Sequence, residues 1–142
     1  MRAMEISRSG LDVEWQRLQV IAHNLANLNT SRTSNGEPFR AMRLVSGPRE
    51  DFATVLGGKG GARQLEGVRV MGVEPTGSGF RRVHEPGHPH ADAEGFVSYP
   101  DIDHASEMTL MIKASRSYEA NLTAINIAQQ MYSRALELGR QS

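Results

Sequence analysis

Residues 111–135 read MIKASRSYEANLTAINIAQQMYSRA, and their spacing decides the fold. Met111, Tyr118, Ile125 and Tyr132 recur at every seventh position, and Ala114, Leu122, Ala128 and Ala135 fall between them on one helical face. A 3–4 alternation held this long is the pattern of a coiled-coil seam, and also of an amphipathic helix lying on a globular core. Asp103, just after Pro100, is placed to cap the start, Glu107 follows in the first turns where the helix dipole favours an acid, and Gly139 supplies a stop. Asn121 sits inside the stripe, where it either fixes register with a partner or turns to water at the stripe edge.

The other end of the chain carries a similar signal. Leu11, Leu18 and Leu25 are spaced by seven, with Trp15, Ile21, Ala22 and Leu28 on the same face. Ser9 followed by Asp12 resembles a capping box and sets one start near Ser9, while Asn27 and Asn29 are candidate terminators because Asn tolerates the left-handed conformation. Val13, Val20, Leu110, Met131 and Leu138 lie off the two stripes and are expected to remain exposed when the helices pair. Ala22, Ala26, Ala114 and Ala128 are small enough to permit close helix approach. A lone helix of this kind gains little by standing alone, so the apolar faces call for company.

Between the ends lie the helix breakers. All six Pro fall between Pro38 and Pro100, and eight of the 14 Gly between Gly57 and Gly79. Pro costs about 3 kcal/mol in a helix interior and Gly about 1, so the middle is not helical. It reads as short strands at Phe39–Val45, Val68–Val73, Phe80–His84 and Phe96–Tyr99, with a flexible loop at Leu56–Ala62. The fold class is α+β: terminal helices pairing as a coiled-coil-like α domain, residues 1–31 and 101–142, around an irregular β-rich segment, residues 32–100.

The 142 residues suffice for one domain and are marginal for two. Sixteen basic residues balance sixteen acidic ones, which argues against a strongly basic nucleic-acid binder. The charge is uneven, however: Arg32–Arg82 carries nine basic and five acidic residues, Val83–Leu110 six acidic and none basic. These regions can meet within a monomer or across a head-to-tail contact. The absence of Cys removes disulfide, thiolate-metal and cysteine-nucleophile chemistry. The longest apolar run in the first 30 residues, Val20-Ile21-Ala22, is too short for a signal-peptide core or a membrane span. The expectation is a protein that stays in the cytosol or leaves by a route needing no cleaved apolar signal, with no membrane insertion.

Catalytic patterns fail on inspection. Gly57-Gly58-Lys59-Gly60 lacks the first Gly and the Ser/Thr of a phosphate loop, and no G-x-S-x-G elbow occurs. His84, Glu85, His88, His90, Asp92 and Glu94 are the densest group of metal-ligand types, so a soluble metal-binding module on His84, His88 and His90 is the second reading. The first expects no enzyme, cofactor, metal or nucleic acid.

The residues also carry a resemblance. Ser9-Gly10-Leu11, then Asn24-Leu25-Ala26-Asn27 with Thr30, looks like the N-terminal signature of the bacterial flagellar axial proteins of rod and hook. Glu37-Pro38-Phe39-Arg40, Glu85-Pro86-Gly87-His88-Pro89, Pro100-Asp101-Ile102-Asp103, Glu107-Met108 and Ala114-Ser115-Arg116-Ser117-Tyr118-Glu119-Ala120-Asn121 narrow it to the C-type proximal rod subunits. That resemblance implies a structural subunit of a hollow, periplasm-spanning, torque-transmitting rod. It is exported without a cleaved signal by the flagellar type III apparatus and contacts other copies, B-, F- and G-type rod proteins and ring-anchoring components. Its assembly surface would be the two stripes: Leu11, Trp15, Leu18, Ile21, Ala22, Leu25 and Leu28, with Met111, Ala114, Tyr118, Asn121, Leu122, Ile125, Ala128, Tyr132 and Ala135.

Overall fold

The computed structural model describes residues 2–49, 67–77 and 79–140. Six elements follow in chain order: helix α1 (Arg2–Ala26), strands β1 (Met42–Pro48), β2 (Val68–Pro75), β3 (Phe80–His84) and β4 (Phe96–Pro100), and helix α2 (His104–Arg140). Two long terminal helices around a small β-rich middle are the expected α+β arrangement. The strands form two-stranded sheets, β1–β2 and β3–β4. The second is antiparallel, with Val83 opposite Val97 and His84 opposite Phe96. In the first, Thr76 donates to the Ala41 carbonyl (2.7 Å) and Arg49 to that of Gly67 (3.1 Å), so its strands also run antiparallel. The loop predicted at Leu56–Ala62 lies outside the described residues.

The chain divides into two compact units. One holds residues 17–44 and 73–113, with the β3–β4 hairpin and the first turns of α2; its buried apolar side chains are Ile21, Ala41, Leu44, Val97 and Pro100. The other holds residues 2–16, 45–49, 67–72 and 114–140, and buries Val13 and Ala114. In this second unit α1 and α2 pair antiparallel: Gly10 lies against Asn121 and Trp15 against Tyr118, with the two rings 6.4 Å apart.

Several boundaries differ from the sequence reading. Helix α1 starts at Arg2, and Ser9 is an interior residue. Its hydroxyl donates back to the Ile6 carbonyl (2.7 Å) and accepts the Val68 N–H (3.0 Å), which is a tie to β2 and not a cap. The end of α1 needs no left-handed Asn, since every described non-Gly residue has negative φ. The Asn27 amide instead donates to the His23 carbonyl (2.9 Å), and the Thr30 hydroxyl donates to Asn27 Oδ1 (3.1 Å). Strand β1 begins at Met42, later than expected, because the Phe39 N–H is taken by the Thr30 carbonyl (3.1 Å). Gly139 does not stop α2, which reaches Arg140; one Gly near a helix end costs only about 1 kcal/mol. Asp103 does cap it, accepting the Ser106 N–H at 3.0 Å.

The inward face of α1 is turned from the leucine stripe. Ser9, Val13, Ile21 and Asn24 are its buried residues, while Leu11, Leu18, Leu25 and Leu28 are half-buried and Trp15, Ala22 and Ala26 exposed. Val13, expected outside, is 4% exposed, and Val20 and Leu110 are half-buried. The reason is hydrogen bonding: Ser9 and Asn24 satisfy backbone groups of β2 and β1, and leaving such groups unpaired in a packed site costs more than half-exposing a leucine.

Candidate assembly surface

In the unit of residues 17–44 and 73–113, one polar clamp joins three segments distant in sequence. Asn24, fully buried, behaves like a neighbouring strand toward β1: its Oδ1 accepts the Met42 N–H (2.9 Å) and its Nδ2 donates to the Met42 carbonyl (2.9 Å). The same Nδ2 donates to Glu107 Oε2 (3.1 Å). Glu107, 2% exposed, receives Arg43 on its other oxygen. A carboxylate this deep is tolerable because both oxygens have donors. Among the described residues no buried side-chain polar atom lacks a partner.

The β3–β4 hairpin is held by a related set. The Tyr99 hydroxyl donates to Glu85 (2.9 Å), and that bond pushes the phenol up from its ordinary value. Gly95, at φ +79°, leaves room for Pro86, which a Cβ there would meet at 3.1 Å. Asp92 accepts the Phe96 N–H (2.8 Å) and pairs with Arg82 (2.6 Å); the Phe96 bond first, and Arg82 with it, hold its carboxyl below the usual range. Arg82 also reaches Glu94 (3.5 Å). The basic middle and the acidic stretch after it therefore meet inside this unit, through Arg43–Glu107 and Arg82–Asp92/Glu94.

The histidines of the second reading have other work. His84 sets its edge against Phe96 with centroids 5.0 Å apart, His88 Nδ1 accepts the His90 N–H (3.0 Å), and His90 Nδ1 shares a hydrogen bond with the Ser31 hydroxyl (2.9 Å). Among the described residues no three His, Cys, Asp or Glu converge as a metal would need. The metal-module reading thus finds no support.

The other unit is open. Fourteen large apolar side chains are exposed among the described residues, and three of them, Val73, Met108 and Ile112, belong to the clamped unit; the remaining eleven are here. Ile6, Val68 and Met71 lie toward α1 and the β1–β2 ladder. Leu122, Ile127, Met131, Tyr132, Leu136 and Leu138 lie on α2, where every residue from Gln129 to Arg140 is exposed. The seam of α2 is half-buried at Met111, Tyr118, Asn121, Ile125 and Ala128 and buried at Ala114, while Leu122, expected on the same face, is exposed because Asn121 takes the inward position. The seam then continues bare through Tyr132 and Ala135. Asn121 donates to its own helix at the Ser117 carbonyl (3.0 Å) and presses on Gly10, where a Cβ would stand 2.9 Å from its amide atoms. Neither arm of the earlier alternative fits completely: Asn121 is half-buried against α1, but its amide is spent inside α2.

Comparison with known proteins turns this geometry into a family assignment. Residues 93–138 match the family described as Flagellar basal body rod FlgEFG protein C-terminal. Over nearly their whole length the chain and three curated proteins align. These are the flagellar basal-body rod proteins FlgC of Bacillus subtilis (36% identity; 97% of each chain), Escherichia coli O6:H1 (36%; 99% and 98%) and Borreliella burgdorferi (35%; 96% and 95%). The chain belongs to the FlgC family of flagellar basal-body rod proteins. FlgC membership makes it a structural rod subunit of the flagellar basal body, a component that assembles with other basal-body proteins. No helix among the described residues is long and apolar enough to cross a membrane.

Within this FlgC-family chain several motif residues make contacts inside one unit or the other. Asn24 is the β1 latch, Asn27 with Thr30 closes α1, Glu85 with Pro86 sets the hairpin, and Tyr118 and Asn121 pack on Trp15 and Gly10. Leu25 is half-buried beside the latch, Ser117 lends its carbonyl to Asn121, and Arg116 and Glu119 are exposed. Sequence reasoning missed the latch role of Ser9 and the whole of Arg43. The available signal for Arg43 was a single charge inside the apolar run Ala41–Val45.

Proposed function

We propose that this subunit builds a hollow, torque-transmitting shaft by covering the bare end of α2 and the outer face of α1 with the helices of its neighbours. One observation carries the reading: α2 has no buried residue from Gln129 to Arg140, yet this stretch bears Met131, Tyr132, Ala135, Leu136 and Leu138. Apolar surface gathered like this on a rimmed helix marks an interaction site. The neighbours are further copies and the B-, F- and G-type rod proteins, with ring-anchoring components at one end, reached after passage through the flagellar export apparatus. Non-closing heterologous contacts generate a helical tube. The work is mechanical, without catalysis or cofactor. Residues 1–31 and 101–142 serve as assembly arms, and residues 32–100 set lateral contacts. The two stripes quoted from the sequence supply the seam, with Tyr132 and Ala135 on its open part and Leu136 and Leu138 beside them.

The test is a double substitution, Leu136→Asp with Leu138→Asp, in the chromosomal copy of a flagellated host. The purified variant keeps the helicity of the parent, while cells lose swimming and yield no complete basal bodies. Normal swimming with intact rods would overturn the proposal.

A further inference from the structure

The connector between α1 and β1 carries a chemical feature of its own. Of the six Asn in the chain, Asn24, Asn27 and Asn121 are followed by Leu, Asn29 by Thr and Asn126 by Ile; Asn35 alone is followed by Gly. Asn24, Asn121 and Asn126 are also inside helices, where the next backbone N–H is engaged. Asn35 is exposed, at the crest of a turn in which the Gly36 N–H donates to the Thr33 carbonyl (2.9 Å) and the Thr33 N–H to the Glu37 carbonyl (2.8 Å). Gly36 has φ +82°, and a Cβ there would find nothing within 4 Å. Ser34 to Glu37 are all exposed, and Gly36 has no side chain of its own to shield its nitrogen.

We propose that Asn35 is a site of spontaneous deamidation, and that the aged subunit carries aspartate or isoaspartate there. Opening the single Thr33–Gly36 hydrogen bond frees the Gly36 nitrogen. Solvent base takes its proton, and the nitrogen attacks Asn35 Cγ. A C–N bond forms, the side-chain amide leaves as ammonia, and a succinimide ring results. Water then opens either carbonyl. Net, an amide and a water become a carboxylic acid and ammonia, with no oxidant or cofactor. The aspartate product sets a new negative charge two residues from Glu37, which pairs with Arg40 at 3.9 Å. The isoaspartate product lengthens the main chain by one carbon inside the turn.

The experiment ages the folded full-length chain in mildly alkaline buffer and maps it by trypsin and mass spectrometry. Cleavage after Arg32 and Arg40 isolates the peptide Thr33–Arg40. The amide-to-acid mass increment accumulates on that peptide and not on those holding the other five Asn, and isoaspartyl methyltransferase labels the same peptide. Gly36→Ala, checked for unchanged circular dichroism, slows the increment at least tenfold. Two results would overturn the proposal: an unmodified Thr33–Arg40 peptide from folded chain while urea-unfolded chain acquires the increment, or an unslowed increment in Gly36→Ala.

Discussion

The two units spend their polar and apolar groups differently. The unit of residues 17–44 and 73–113 is closed: a buried Asn and a buried Glu meet their donors, five apolar side chains are buried, and three large ones remain exposed. The unit of residues 2–16, 45–49, 67–72 and 114–140 has one buried polar side chain, Ser9, two buried apolar ones, and eleven large apolar groups in water. The first buries its polar and apolar groups within its own chain. The proposed function has neighbouring molecules cover the second, and mutation can attack that contrast, because damage in the two units should separate stability from assembly.

The largest loss of stability is expected at the clamp. Arg43→Ala leaves a buried carboxylate held by Asn24 alone and lowers unfolding free energy by about 3 kcal/mol. Adding Glu107→Leu to Arg43→Ala restores part of it, because the buried charge is then gone; a denaturant titration of the single and double variants reads both. Ser9→Ala leaves the Val68 N–H without its acceptor and costs about 1–2 kcal/mol in the same titration. A smaller effect is expected on the acid side. Asp103 and Asp92 have carboxyls held below the ordinary value of 3.8, Asp103 by the Ser106 hydroxyl and N–H and Asp92 chiefly by the Phe96 N–H. Their contribution is present above that value and is lost as pH falls through the lower folded-state values. Asp103→Asn should flatten the acid limb of a stability-versus-pH curve; an unchanged limb would remove Asp103 from the account. The smallest effect belongs to the open unit: Leu136→Gln or Leu138→Gln changes the stability of the isolated chain by less than about 0.5 kcal/mol, even though each weakens assembly in cells.

Much of this was legible in the residues. The Pro and Gly placement located both helices, and strand β3 stands where it was read. Spacing placed most of the half-buried face of α2, Met111, Tyr118, Ile125 and Ala128 around buried Ala114, but read Leu122 where Asn121 turns inward. The face of α1 was harder to read, because a hydrophobic repeat reports only apolar burial. Ser9, Asn24 and Glu107 are buried for the backbone groups and charges they satisfy, and those partners, Val68, Met42 and Arg43, lie far away in sequence. The same blindness misplaced the start of α1: a Ser that binds a distant strand resembles a Ser that caps its own helix. The candidate surface was half legible. The stripe showed which residues lie on one face, but not that α2 remains uncovered beyond Ala128.

Cysteine accessibility separates a covered from a bare end of α2, since the chain has no Cys to interfere. With Leu138→Cys, a residue 70% exposed in the single subunit, maleimide should label the purified chain rapidly and the same residue in isolated basal bodies at least tenfold more slowly. Equal labelling in both states would contradict the account, because the apolar end of α2 would then stay bare in the finished rod.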